Sequence, residues 1–353
     1  MINRTDGLNH ILSVDIGGTF TDFSLLDLSS GKVSVNKVLT DADHPEEALI
    51  NGASELLGRI GVSYDELRLV VHSTTLATNA IIERRGAKTG LITTDGFRDI
   101  IELRREQIYD MYDLQARYPE PLAPRYLRQG IRERTDSDGL ILEKVHEDDA
   151  VKLVERLLGE GAEALAIALM HSYKNPTNEE VLKSVIENHF PDVTVSISSE
   201  VAPVINEYER TSTTIADCYI KPSVSKYLAG VRERLSGLGY TGELLVMHSA
   251  GGVIGSDAAS ERPVRLLESG PAAGALAASF YGALLSKPDL VSLDMGGTTA
   301  KTCVIEGGKP AIANSIEVGR IHRFKVGSGL PIVIPVLDLI EIGSGGGSIA
   351  WTD

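Results

Sequence analysis

Cysteine is scarce in this sequence, which has only two cysteines, Cys218 and Cys303, far apart in the chain. A disulfide framework needs more cysteines, and a cysteine-based metal site needs them closely spaced, so neither feature is expected. The two thiols are instead typical of small residues in a hydrophobic core.

Long hydrophobic runs and an excess of positive charge are also missing. No apolar stretch approaches the ~20 residues of a membrane-spanning helix, and residues 1–10 lack the basic-then-apolar pattern of a signal peptide. The net charge is −15, whereas a nucleic-acid-binding protein normally presents a basic surface. We therefore expect a cytoplasmic protein that binds neither membranes nor nucleic acid.

Two common nucleotide-binding motifs are absent from the sequence as well. There is no Gly-x₄-Gly-Lys-Ser/Thr segment, which excludes a P-loop. The glycine-rich residues 343–348 do not open a helix with the Gly-x-Gly-x-x-Gly pattern, so a dinucleotide-binding fold has little support.

The sequence does contain one short motif in two copies, at residues 15–19 (Asp-Ile-Gly-Gly-Thr) and at residues 294–298 (Asp-Met-Gly-Gly-Thr). Each copy follows an apolar run and precedes further β-prone residues, which predicts a strand, a tight turn and a returning strand. Glycines let a ligand approach the main chain, and successive N–H groups of a turn can bind an anion. We therefore expect two turns that close on one nucleoside triphosphate.

The repeated motif supplies the candidate residues for binding ATP and Mg²⁺. Asp15 and Asp294 are predicted to be catalytic and to position a hydrated Mg²⁺ ion. The residues predicted to contact the phosphates of ATP are Gly17, Gly18, Thr19, Thr21, Gly296, Gly297, Thr298, Thr299 and Lys301. Each threonine alone is equally typical of a strand surface, and the lysine could simply lie on a strand face.

The pattern of apolar residues predicts alternating strands and helices, which indicates the α/β class. Strands at 11–16, 20–27 and 33–39 form a predicted meander around the first turn. A long helical stretch covers residues 207–238, and we expect it to break at Pro222 because proline lacks a backbone N–H.

Polar residues follow one further buried strand. Thr74, Thr75 and Asn79 lie where α/β sheets place ligands, so they are predicted to contact the substrate, although a helix cap explains them equally well. His72 and His248 both fall at strand ends. Such histidines are usually hydrogen-bonded partners in a core, and a catalytic or metal-binding role is the alternative.

These motifs resemble those of the hydantoinase A/oxoprolinase family. The matching stretches span essentially the whole chain and are residues 14–22 (VDIGGTFTD), 72–80 (HSTTLATNA), 90–98 (GLITTDGFR), 268–274 (ESGPAAG), 293–301 (LDMGGTTAK) and 340–350 (IEIGSGGGSIA). The resemblance implies an α/β fold of the actin-like ATPase (ribonuclease H-like) type, with mixed sheets flanked by helices. The resemblance also implies an N-terminal domain at residues 1–205, followed by the start of a core domain at residues 206–353. Because A subunits of this family are almost twice as long, we expect the C-terminal part of the core domain to be absent, which leaves the second ATPase domain incomplete.

The resemblance also implies a reaction, the ATP-dependent opening of a cyclic amide such as a hydantoin, 5-oxoproline or a lactam. An unstrained lactam is a poor electrophile, and phosphorylation of its carbonyl oxygen creates a good leaving group before water attacks. The implied partners are a hydantoinase B-type subunit and the cyclic amide, in an oligomeric assembly.

Other functions fit the same fold. A small-molecule kinase would transfer the phosphoryl group without hydrolysis, and relatives of this type carboxylate ketones, so an ATP-dependent carboxylase subunit is a further alternative. A non-catalytic nucleotide-binding assembly module would bind ATP without turnover.

Overall fold

A computed structural model describes residues 8–41, 44–106, 108–296, 300–322, 325–342, 345–349 and 351. The α-helices in these ranges are α1 (Pro45–Ile60), α2 (Leu76–Ile82), α3 (Ile100–Leu103), α4 (Glu147–Gly159), α5 (Thr177–His189), α6 (Ser198–Val201), α7 (Glu207–Gly237), α8 (Ser256–Glu261) and α9 (Ser269–Leu284). The strands are β1 (His10–Ile16), β2 (Phe20–Asp27), β3 (Val33–Leu39), β4 (Leu67–Thr74), β5 (Thr89–Thr94), β6 (Arg128–Ile131), β7 (Arg134–Thr135), β8 (Ile141–Glu143), β9 (Ala164–Ala168), β10 (Thr194–Ile197), β11 (Glu243–Met247), β12 (Val253–Gly255), β13 (Leu290–Met295), β14 (Ala300–Glu306), β15 (Lys309–Pro310), β16 (Ile312–Ala313), β17 (Ile316–Val318), β18 (Leu330–Ile332), β19 (Val336–Leu337) and β20 (Leu339–Ile342).

The first sheet has six strands in the order β12-β11-β4-β1-β2-β3. Strands β1, β2 and β3 form the predicted antiparallel meander, while β4 runs parallel to both β1 and β11. Alternate residues of β1 and β2, such as Leu12 and Phe23, are buried in the core shared with α1 and α7. Because side chains alternate along a strand, the intervening residues, including Ser13 and Asp15, face the opposite side of the sheet.

The second sheet has four parallel strands in the order β10-β9-β5-β6. Helices α4 and α5 contribute Val154 and Leu182 to a core with Leu165 of β9, and α7 packs against β9 and β10. Strand β9, Ala-Leu-Ala-Ile-Ala, is buried along its whole length, as expected for a parallel strand with helices on both faces.

The third sheet consists of β13, β14 and β15, with β20 also paired to β14. Helix α9 packs on it through Ala272 and Ala275, which form a small core with Cys303 and Leu337. The same helix also contacts β4 and β11 of the first sheet. Helix α9 therefore links the sheet that carries the first motif to the sheet that carries the second.

The expected break at Pro222 is wrong, because α7 runs through this proline as one helix of 31 residues. An interior proline costs about 3 kcal/mol through its missing hydrogen bond and its ring. The turns on either side are buried, with Cys218, Ile220 and Val224 at most 1% exposed. Burial of such side chains contributes about 1.5–3 kcal/mol each, which offsets the cost.

Both cysteines are free and buried, as the sequence indicated. Within the described ranges, no helix combines the length and the apolar character that a bilayer crossing would require.

Candidate active site

The first motif forms a tight turn between β1 and β2. The N–H of Gly17 donates to the carbonyl of Phe20 at 3.0 Å, and Thr40 Oγ1 donates to the carbonyl of Gly17 at 2.9 Å. A Cβ atom on Gly17 would lie only 3.1 Å from the Phe20 carbonyl oxygen, so this position has little room for a side chain. Gly18 and Thr19 are exposed at the apex of the turn, where a ligand can reach their backbone.

Thr21 lies on the other side of the same turn. It is fully buried, opposite Ile16 in the β1–β2 register, and its hydroxyl is hydrogen-bonded to Thr40 Oγ1 at 3.0 Å. The Thr21 hydroxyl therefore braces the turn from inside the protein rather than lying with Gly18 and Thr19 on the open side.

Asp15 occupies the open face of the first sheet. Asp15 is exposed to solvent on the side of the cleft, while protein atoms lie close around the rest of its carboxylate. This partial burial is the main cause that raises the pKa of Asp15 above its ordinary value of 3.8. A hydrogen bond from Ser73 Oγ lowers the pKa, and the negative charges of Asp22 and Asp294 raise it. Asp294 is therefore close enough to act on Asp15 electrostatically.

The second motif connects β13 to β14. Asp294 is exposed and lies directly opposite Lys301 in the register of β13 and β14. The N–H of Gly346 donates to the carbonyl of Gly296 at 3.0 Å, so Gly346 lies beside the residue that follows β13. Three of the predicted phosphate-binding residues lie outside the described residues, namely Gly297, Thr298 and Thr299.

The two motifs meet at the start of helix α9. Gly270, in its first turn, faces Asp15 so closely that an added Cβ would lie 3.5 Å from Asp15 Oδ1. Glu268, the residue immediately before α9, forms an ion pair with Lys301. The structure thus brings Asp15, near the start of the sequence, close to Asp294 and Lys301, which lie about 280 residues later.

Glu268 begins the matching stretch 268–274, but it was not among the predicted site residues. Its backbone is left-handed (φ 60°, ψ 25°), a conformation that costs a non-glycine residue about 1–2 kcal/mol. Its N–H donates to Thr78 Oγ1 at 3.2 Å, and its carboxylate accepts from Lys301 Nζ. The one available signal was its place before the Ser-Gly-Pro start of a helix, whereas the pairing depends on tertiary structure.

Two clefts open at this junction. Asp15 lines an open cleft of about 760 Å³ between the exposed face of the first sheet and α9, together with Lys37, Ser73 and Ala273. The second cleft, of about 520 Å³, has Glu268 and Lys301 among its lining residues. Both volumes fall within the usual range for small-molecule sites, about 300–1,000 Å³.

The three residues predicted to contact substrate join the ends of neighbouring strands. The carbonyl of Thr74 accepts from Ser269 Oγ at 3.1 Å, and the N–H of Thr75 donates to the carbonyl of Ile16 at 3.2 Å. Asn79 Nδ2 donates to Thr75 Oγ1 at 3.3 Å. These polar groups hold β1, β4 and α9 together, and a contact with substrate remains a prediction.

His72 is a hydrogen-bonded core residue. It is fully buried, and its Nε2 is 2.9 Å from the hydroxyl of Tyr227. Burial lowers the pKa of His72 to about 4, so the ring is neutral at pH 7. His248 is only half-buried, and its Nδ1 accepts the N–H of Ala250 at 3.2 Å.

Comparison with protein families shows to which family the chain belongs. Residues 11–190 match the family described as "Hydantoinase/oxoprolinase N-terminal region", and residues 210–353 match "Hydantoinase/oxoprolinase". The chain belongs to the hydantoinase/oxoprolinase family.

This family member resembles several known proteins along its whole length. An uncharacterised protein of Methanocaldococcus jannaschii is 38% identical over 98% of the chain, which corresponds to 51% of that protein. The caprolactamase subunit alpha of Pseudomonas jessenii is 31% identical over 97% of the chain and 49% of its own length. The chain thus spans about half the length of the curated relatives it matches.

Solved structures confirm the predicted fold of this family member. The ATP-dependent caprolactamase from Pseudomonas jessenii superposes with a TM-score of 0.84 at 31% identity, over 97% of this chain and 49% of that chain. Nucleotide-free acetone carboxylase gives a TM-score of 0.83 at 29% identity, over 96% and 48% of the two chains. The α/β architecture of the actin-like ATPase type, with mixed sheets flanked by helices, is therefore confirmed.

Proposed function

We propose that this chain binds ATP and phosphorylates the carbonyl oxygen of a cyclic amide, as the A-type part of an enzyme that opens the ring. The observation that supports this most strongly is the meeting of Asp15, Asp294 and Lys301 at the start of α9. The fold shared with a structure described as an ATP-dependent caprolactamase supports it further.

The two turns would hold the phosphates of ATP. Gly18 and Thr19 would offer backbone N–H groups on one side, while the Gly17 N–H closes the turn on Phe20. On the other side the predicted phosphate contacts are Gly296 and three residues outside the described ranges, Gly297, Thr298 and Thr299. Lys301 would add a positive charge. Donors fixed in place before the reaction stabilise charge on a transferred phosphoryl group without reorganisation.

The residues present could hold a Mg²⁺ ion that is also bound by the phosphate oxygens of ATP. Among the described residues, no group of three or more His, Cys, Asp or Glu side chains could hold a metal ion. Mg²⁺ bound with a nucleotide commonly uses only one or two carboxylates, besides water and phosphate oxygens. Asp15, whose pKa is raised by partial burial and by the charges of Asp22 and Asp294, would hold it together with Asp294, and the ion would neutralise phosphate charge.

The proposed reaction begins with phosphoryl transfer from ATP to the amide. The amide oxygen attacks the γ-phosphorus, an O–P bond forms, and ADP leaves with the electron pair of the broken P–O bond. Water adds to the activated carbon, and the C–N bond breaks as the nitrogen takes a proton. A second water hydrolyses the resulting acyl phosphate to a carboxylate and free phosphate. The chain's own residues would align the two reactants, which is the main catalytic task in phosphoryl transfer.

We propose a cytoplasmic oligomer with a hydantoinase B-type subunit, because the caprolactamase relative is itself named as a subunit. We also propose two domains, at residues 1–205 and 206–353, a division that the gap between the two family matches supports.

The test is ATP titration of the chain, followed by product analysis with the partner subunit present. Hydantoin, 5-oxoproline and ε-caprolactam are supplied in turn with ATP, and we expect one ring-opened product for each ADP and phosphate. A stable phosphorylated product would identify a kinase, and a carboxylated ketone would identify a carboxylase like the acetone carboxylase relative. ATP binding without turnover on any substrate would identify a non-catalytic module.

A further inference from the structure

The second cleft contains only one of the predicted site residues that the structure describes, Lys301. It lies between α2 and strands β14 to β20, and its volume is about 520 Å³. At its inner end is Glu268, whose N–H donates to Thr78 Oγ1 and whose carboxylate accepts from Lys301 Nζ.

The inner end of this cleft adjoins the place where the two turns meet. Lys301 lies opposite Asp294 across β13 and β14. Glu268 is two residues before Gly270, which faces the Asp15 carboxylate. A phosphoryl group held between the turns would therefore lie beside the inner end of the cleft.

The lining of the cleft indicates the charge of its ligand. Among the described residues that line it, four are carboxylates and two are cations. The cations are Lys301, paired with Glu268, and Arg320, paired with Glu317 at 3.1 Å. Asp338 and Glu341 add further negative charge. An anionic ligand would be repelled by this surplus, whereas a neutral ligand would not.

Apolar side chains supply about half of the cleft surface, with Ile82, Ile316, Val336 and Leu339 among them. Small-molecule sites commonly combine apolar side chains with a few placed polar groups, so this apolar part of the lining suits a hydrocarbon ring. The Lys301 ammonium has three N–H donors and gives one to Glu268, so it has further donors for a carbonyl oxygen.

We propose that this cleft binds the amide that is to be phosphorylated, and that it favours a neutral ring, a lactam or a hydantoin, over the carboxylate-bearing 5-oxoproline. This inference rests on the proposed function. The apolar part of the lining would hold the ring, and its carbonyl would point to the Lys301 end, towards the phosphates.

The test fills the cleft from its exposed wall. Ile82 is 57% exposed, so Ile82→Trp adds volume without disturbing the core. We expect its KM for ε-caprolactam to rise by about tenfold or more, because a specificity pocket discriminates on this scale, with ATP affinity unchanged. Leu142→Trp is the matched control, because Leu142 is 61% exposed and lies outside the cleft lining.

A second variant tests the charge. Asp338→Asn removes one exposed carboxylate from the cleft, and we expect the KM for 5-oxoproline to fall by about threefold while that for ε-caprolactam stays constant. An unchanged ratio of the two KM values would overturn the predicted preference for neutral rings.

A direct measurement of lactam binding shows whether the cleft binds the amide, even where no ATP-dependent reaction takes place. Ligand-observed NMR is used to follow ε-caprolactam binding to the full chain with its partner subunit. If the lactam binds to wild type but not to Ile82→Trp, the site is confirmed even when ATP is not consumed, and only the proposed function fails. If the lactam does not bind, or binds both proteins equally, the cleft is not the amide site.

Discussion

Lys301 donates a hydrogen bond from its ammonium group to the carboxylate of Glu268, and so joins the third sheet to the start of helix α9. Both side chains are only 18% exposed. A pair in this position is screened less by water than a surface pair, and removal of one partner leaves a partly buried charge.

Lys301→Met is expected to weaken ATP binding by about tenfold, because a cation close to the phosphates is lost. It should also lower the free energy of unfolding by about 1–3 kcal/mol, because Glu268 loses its partner. Isothermal titration and urea unfolding measure the two effects. Lys183→Met is the control, since Lys183 pairs with Glu200 at a more exposed site, where a pair contributes about 0–1 kcal/mol. Equal effects of the two substitutions would contradict the role of Lys301.

Asp15→Asn keeps the shape of the side chain and removes its charge. We expect ATP-dependent turnover, measured with the partner subunit, to fall by at least about 100-fold, because a carboxylate that orients Mg²⁺ is lost. The melting temperature should not fall, since the substitution removes a carboxylate whose pKa is raised by burial and by Asp22 and Asp294. Normal turnover in this variant would rule out the assignment of Asp15.

Gly282→Ala and Gly274→Ala place the same methyl group at two positions of α9 with opposite expected effects. At Gly282 the new Cβ would lie 2.4 Å from Leu290 Cδ2 and 2.7 Å from the Lys287 carbonyl oxygen. This overpacking should cost about 1–3 kcal/mol. At Gly274 no atom lies within 4 Å of the added Cβ, so a gain of about 1 kcal/mol is expected from helix propensity. Urea unfolding of both variants provides the comparison.

The buried His72 predicts how stability depends on pH. Its pKa falls from 6.5 to about 4 on folding, so between these values the unfolded chain binds a proton that the folded protein excludes. Stability should therefore decrease by about 3 kcal/mol as the pH falls from about 6.5 to about 4. His72→Gln should lack this pH dependence, because it removes the titrating group. Tyr227→Phe leaves the His72 imidazole buried and should retain the pH dependence. Chemical unfolding across this pH range measures the slope, and equal slopes for the wild type and His72→Gln would contradict the prediction.

Local sequence patterns were sufficient for the meander of β1, β2 and β3 and for the turn between β1 and β2. Strands β1, β2 and β3 form the predicted meander, because alternate side chains along each strand lie on opposite faces of the sheet. Helix α9 begins at Ser269 for a similarly local reason, since small residues and a proline suit a first turn.

The remaining features depend on contacts that the sequence does not reveal. Thr21 was predicted beside the phosphates with the other threonines, but strand pairing places its hydroxyl against Thr40 inside the protein. Pro222 predicts a helix break from local chemistry, and long-range burial overrides it. The pairing of Glu268 with Lys301, and the cleft around them, arise from segments that are distant in sequence and have no periodic pattern in common.

The smallness of the residues in α9 has an evolutionary consequence. Ala272 and Ala275 are at most 1% exposed between the helix and the third sheet, and Gly270 faces Asp15 on the first. Helix α9 thus lies between the two motif-bearing sheets with only methyl groups and bare backbone at these contacts. We therefore expect these positions to admit only small residues, whereas residues that line the clefts can change one at a time without moving Asp15 or Asp294.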